Sequence, residues 1–284
     1  MKSILALLTG ILAIFLLTLS PVQAKKTKTV RISYVEWPCA VASSNLAKAV
    51  LEEKLGYNVE LVSVTAAVMW QSVALGETDA CVTAWLPVTH AAYLERTRDK
   101  IEVLGTLAKG ARLGWVVPDY VTISSIADLP GNEAKFDSKI YGIDPGSGLM
   151  QLSEKAIKDY KLTKYTLMEG SDAVMVGALA DAIRNKKWIA VTSWSPHWMF
   201  GRWQLKYLED PQKSLGEEEF IHTITRKGLK DDMPEVHAFF RKFSYTDTNQ
   251  LEKLMADNES GGDPLENAKK FMQNNKEQVE GWLR

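Results

Sequence analysis

Residues 66–87, AAVMWQSVALGETDACVTAWLP, and residues 172–196, DAVMVGALADAIRNKKWIAVTSWSP, decide how this chain is read. Both carry Ala-Val-Met within a stretch of helical spacing, and both end on Thr-x-Trp-x-Pro. A histidine follows each time: TAWLPVTH reaches His90, and TSWSPHW reaches His197. Each copy predicts a helix (Ala66–Leu75 closed by Gly76, Asp172–Ile183) and then a strand (Ala80–Ala84, Trp188–Thr192) running into the tryptophan. Two copies about a hundred residues apart indicate a duplicated half rather than a solenoid.

Outward from these units the same rhythm continues. Val30–Val35 reads as a β-branched strand, Ser43–Leu55 as an amphipathic helix stopped at Gly56, and Asn58–Val64 as a strand. In the second cycle Lys139–Ile143 and Tyr165–Leu167 are strands, with a loop and helix over Gly146–Asp159 between them. Strands alternating with helices predict α/β layers, with a mixed, mostly parallel sheet covered by helices. KGARLGWVVP (109–118) is an extended link between the cycles, and the acidic DPQKSLGEEE (210–219) ends the second. Phe220–Thr225 returns as a strand, followed by helices from Met233 to Arg284. Two lobes are therefore expected: 25–108 with 218–284 as lobe one, and 109–217 as lobe two. The two crossovers between them are natural hinges for a cleft that closes on a ligand.

The N-terminus reads as an export signal over residues 1–24. Lys2 precedes an apolar run from Ile4 to Leu19, and Val22-Gln23-Ala24 supplies a small-residue cleavage site; an uncleaved anchor is the alternative. A periplasmic location is expected. Without that segment 33 basic side chains face 35 acidic ones, a net charge of −2. Such a balance offers no basic footprint for nucleic acid. Cys39 and Cys81, in an oxidising compartment, are either a disulfide or two separate small hydrophobes.

Trp37, Trp85 and Trp194 are expected just past strand ends, where ligands of open α/β sheets lie. A quaternary ammonium has no N–H to donate, and its charge, spread over methyl groups, suits the negative faces of aromatic rings. Trp70, Trp188 and Trp282 fit a core role better. GIDPGSGLM (142–150) joins a strand to a helix and leaves backbone N–H groups free for an anion. It matches neither nucleotide-binding glycine pattern, so a carboxylate is the expected anion. His90 is a candidate second donor to it.

In this order, YVEW, AWLPVTH, GIDPGSGLM and SWSPHW resemble the glycine betaine-binding proteins of ABC importers across essentially the whole chain after the signal. The resemblance implies a two-lobe, type II periplasmic binding fold with a hinged cleft. It implies that Trp37, Trp85 and Trp194 box a trimethylammonium group. His90 and backbone amides, placed at Gly148 and Leu149, would hold the carboxylate. Choline binders of similar pattern carry an Asp shortly after the first Trp and lack the His after the second, so a zwitterion fits this chain better. Proline betaine, carnitine, choline and sulfonium analogues are the alternative ligands. Implied partners are a membrane permease and its ATPase, and the chain is expected to act as a monomer without cofactor or metal. His197 and Trp198 are expected to support the second loop.

Enzyme chemistry finds little footing. G-x-S-x-G is absent around Ser147, the four histidines lack metal-ligand spacing, and no carboxylate pair forms a recognisable glycosidase arrangement. A periplasmic ligand sensor built on the same fold is the second alternative.

Overall fold

The computed structural model describes residues 28–284, so the expected signal over 1–24 lies outside the described residues. The first half runs β1 (Thr29–Tyr34), α1 (Pro38–Leu55), β2 (Asn58–Ser63), α2 (Ala66–Leu75), β3 (Ala80–Leu86) and α3 (Ala91–Thr97), and leads into the long β4 (Ile101–Pro118). The second half runs β5 (Lys139–Tyr141), α4 (Gly148–Asp159), β6 (Thr166–Met168), α5 (Asp172–Arg184), β7 (Val191–Ser195), α6 (Met199–Arg202) and β8 (Leu205–Tyr207). The chain returns through β9 (Glu219–Arg226) to α7 (Leu229–Asp232), α8 (Pro234–Lys242), α9 (Thr248–Glu259), α10 (Pro264–Asn274) and α11 (Lys276–Leu283). No helix among the described residues is long and apolar enough to cross a membrane.

The strand order β2-β1-β3-β9-β4-β7-β5-β6 explains why the sequence repeats itself. Read from either edge, the pattern is the same. β1 pairs in parallel with β2 and β3, and β3 then meets β9 antiparallel. Likewise β5 pairs in parallel with β6 and β7, and β7 then meets β4 antiparallel. β9 and β4 pair with each other at the centre. The α2–β3 and α5–β7 units thus hold equivalent places in mirrored strand orders. β4 serves both halves: Ile101 to Ala111 pairs with β9, and Arg112 to Val116 pairs with β7.

Local chemistry sets the elements. All seven residues of β3 are buried, the pattern of a strand covered on both faces. α2 ends as expected at Gly76, which takes φ 74°, a left-handed conformation that costs glycine little. α1 begins at Pro38, five residues before the expected Ser43. Cys39, Ala40, Ala42, Ser43 and Ser44 are all buried, so this first turn shows no amphipathic alternation to read. β4 begins at Ile101 rather than Lys109 because register shifts at Val103/Thr106, Thr106/Ala108 and Ala108/Ala111 break the period-two pattern. β7 lies three residues later than expected.

A large core joins α1, β1, β3, β9 and the C-terminal helices, with Trp70 and Trp282 1% and 4% exposed. A smaller one around Trp115, Phe136 and Tyr165 fills the second half, with Trp188 packed at its edge.

Candidate ligand-binding site

Trp37, the N-cap of α1, lies three residues beyond β1, as expected for a residue past a strand end. Trp85 and Trp194 differ: both sit within the last two residues of β3 and β7. The following Leu86–Pro87 and Ser195–Pro196 peptides are both cis. The three indoles are 6%, 3% and 3% exposed and line one small, tightly closed cavity with His90, Gly148, Leu149 and Cys39. All six residues named from the sequence for cation and carboxylate therefore meet at one place.

His90 is built into its loop by a reciprocal pair. Trp85 N–H donates to His90 Nδ1 (3.0 Å), and His90 N–H donates to the Trp85 carbonyl (3.0 Å). An Nδ1 that accepts leaves the neutral ring's proton on Nε2. That Nε2 is buried and has no partner among the described residues. Burial pushes the ring's pKa down to about 3, so the neutral tautomer persists at physiological pH. Trp37 stacks on the ring at 6.0 Å between centroids, and Trp70 meets it edge-on at 5.7 Å.

Opposite stands the start of α4. Ser147 caps it by accepting from Met150 N–H (3.2 Å). Gly148 and Leu149 are its first two residues, whose N–H groups have no intrahelical acceptor. A Cβ at Gly148 would collide with the Thr89 carbonyl, so only glycine allows the two loops to approach this closely. Trp37 Nε1–H donates to Asp144 Oδ1 (2.8 Å) across 107 residues of sequence, and Tyr93 Oη–H donates to the Gly146 carbonyl (2.5 Å). Both bonds tie the first half of the chain to the loop that precedes α4. Asp144 lies in the quoted loop, yet nothing in the sequence marked it as the partner of Trp37. Tyr93 carried no signal at all.

Cys39 and Cys81 are both free and buried, which corrects the alternative of a disulfide. Cys81 packs against Met69 (sulfur to sulfur 3.2 Å), while Cys39 faces the cavity. Burial pushes their thiols up to about 12 and about 11 for Cys39 and Cys81, with Asp172 adding to the first. Both are therefore protonated at neutral pH.

His197 does not line the cavity. Its Nε2 pairs with Asp172 (3.1 Å) and its Nδ1 accepts from Met199 N–H (3.2 Å). A wider surface groove lies at the amino-terminal ends of β1 and β3, lined by Lys28, Arg31, Lys100 and Arg226. It holds no aromatic cage, and Arg226 is committed to Asp79 and Asp232, both at 2.7 Å. Among the described residues no group of His, Cys, Asp and Glu side chains could hold a metal ion.

Residues 28–274 match the substrate-binding domain of the ABC-type glycine betaine transport system. The glycine betaine/carnitine transport binding protein GbuC of Listeria monocytogenes is 43% identical over 145 residues. That match covers 50% of this chain and about half (48%) of the relative. Lactococcal OpuAC, solved closed with glycine betaine, superposes with a TM-score of 0.86 at 40% identity, covering 90% of this chain and 100% of that one. The glycine betaine/L-proline-binding protein ProX of Borrelia burgdorferi gives a TM-score of 0.87 at 38% identity, covering 90% and 97%.

Proposed function

Since the chain belongs to the family of substrate-binding domains of ABC-type glycine betaine transport systems, we propose that it captures a betaine-type zwitterion outside the cytoplasm and delivers it to a membrane permease with its ATPase. Glycine betaine is the favoured ligand. One observation carries this reading: three buried indoles share a small cavity with two kinds of uncommitted donor, His90 Nε2 and the first N–H groups of α4. The ring faces suit the methylated cation, each contact being worth up to ~2 kcal/mol when desolvated. The donors suit a carboxylate and would be left unsatisfied by a bare cation.

Lobe one is taken as 25–108 with 218–284 and lobe two as 109–217. The handover of β4 from β9 to β7 between Ala111 and Arg112 supports this division. Trp37, Trp85 and His90 then belong to lobe one, and Trp194, Gly148 and Leu149 to lobe two. A ligand touching both walls stabilises closure through contacts it makes only in the closed state. The closed chain, released from its export signal and acting as a monomer, docks on the permease; no chemical step is required of it.

Calorimetric titration of residues 25–284 with glycine betaine, proline betaine, carnitine, choline and a sulfonium analogue tests the reading. Tightest binding to a carboxylate-bearing betaine, with the compound recovered unchanged, is the expected result. Preference for choline over every zwitterion would refute it.

A further inference from the structure

We propose that Glu219 is a positioning residue that sets carboxylate recognition from the hinge, an inference resting on the cage reading above. Glu219 opens β9 and pairs with Ala111, the last β4 residue before that strand passes to β7. The residue is 1% exposed, and among the described residues no cation is paired with it. Both oxygens are instead spent on the loop after Trp85. Oε1 accepts the N–H groups of Val88 (2.5 Å) and Thr89 (2.7 Å), and Oε2 accepts the Thr89 hydroxyl. Three donors to one carboxylate hold a buried charge that would otherwise be costly to desolvate.

Thr89 is the residue through which this matters. It precedes His90, whose free Nε2 is one donor for the ligand carboxylate. Its carbonyl and methyl occupy the space a Cβ on Gly148 would need, and the Gly148 N–H is the other. Both halves of the carboxylate grip therefore lean on a residue that Glu219 fixes, while the indoles of Trp37 and Trp194 are carried by other elements. Losing Glu219 leaves two loop N–H groups without acceptors and frees Thr89 to move. The predicted loss is selective: the anion end of the ligand is affected, the cation end hardly. Coulomb's law alone predicts the opposite sign, because removing a negative charge near an anionic ligand group would tighten binding.

The test measures dissociation constants for glycine betaine and for tetramethylammonium, which has the cation and no carboxylate. Wild type, Glu219→Ala, Glu219→Gln and Thr89→Val are compared. Glu219→Ala is expected to weaken glycine betaine about tenfold or more and tetramethylammonium by less than about threefold. Glu219→Gln, whose amide oxygen can still accept from Val88 and Thr89, should recover most of the loss. Thr89→Val should shift selectivity in the same direction by less. If Glu219→Ala does not fold, Thr89→Val decides on the same criterion. Unchanged or tighter betaine binding, or equal losses for both compounds, overturns the inference. A wild-type protein that binds neither compound overturns the cage reading itself.

Discussion

The two Trp-x-Pro loops are the same device used twice and finished differently. In both, a buried tryptophan ends a strand that is parallel to a neighbour on one side and antiparallel on the other, and a cis proline follows. Both loops also carry a histidine whose Nδ1 accepts a backbone N–H, from Trp85 in one and Met199 in the other. The difference lies at Nε2. In the second loop it is committed to Asp172; in the first it is buried and unclaimed. Duplication supplied matching aromatic walls, which suit a nearly spherical cation. The unequal histidines give the cavity a polar direction, with its free donors at His90 Nε2 and the start of α4, where the proposed function puts the carboxylate.

That contrast can be broken at its aromatic part first. Trp85→Ala should weaken glycine betaine by up to about a hundredfold, from roughly 1–3 kcal/mol of lost cation–π contact and packing. If the ring serves the cation as proposed, tetramethylammonium should weaken in proportion; a normal dissociation constant would defeat the cage. Next comes the histidine. His90→Ala should cost glycine betaine about tenfold or more, the worth of a hydrogen bond to a charged group. Tetramethylammonium should be nearly unaffected, and equal losses would make His90 a structural residue only.

His197→Ala sharpens the comparison from the other side. Leaving Asp172 unpaired should lower unfolding stability by about 1–3 kcal/mol in a denaturant titration. Affinity should change only slightly, and equally for both compounds. Trp37→Phe keeps an aromatic face and removes the donor to Asp144. A loss of a few-fold in affinity, matching about 1 kcal/mol for one hydrogen bond, is expected by calorimetry.

The smallest effect is with pH. His90 titrates far below its ordinary range in the folded chain because burial disfavours the charged ring. Its neutral donor is therefore present throughout pH 5.5–8, and betaine affinity should be flat across that window. The unfolded ring takes its proton near pH 6.5 while the folded ring resists until about 3. The ligand-free protein should accordingly lose stability as pH falls through that interval. The loss should be shallower in His90→Gln, which has no imidazole to charge.

Much of this was legible before any coordinates. The repeat foretold the mirrored strand orders, and the tryptophans, His90 and the Gly148–Leu149 turn were all named from their motifs. What stayed hidden had weak local signals. The start of α1 is mostly buried, so its small residues lack a polar face to reveal a helix. β4 hides its first half behind register shifts. Asp144, Tyr93 and Glu219 act through partners 107, 53 and 130 or more residues away, and no pattern of neighbours announces such pairings. The cysteines stayed open between a disulfide and two buried hydrophobes because sequence spacing does not choose between them, whereas geometry sends Cys81 to Met69 and Cys39 to the cavity.

A crystal structure of residues 25–284 grown with glycine betaine addresses the central claim most directly. The account predicts the trimethylammonium group among the faces of Trp37, Trp85 and Trp194. It predicts the carboxylate within hydrogen-bonding distance of His90 Nε2 and the N–H groups of Gly148 and Leu149. A betaine bound with its carboxylate away from His90, or bound outside the three indoles, would contradict it.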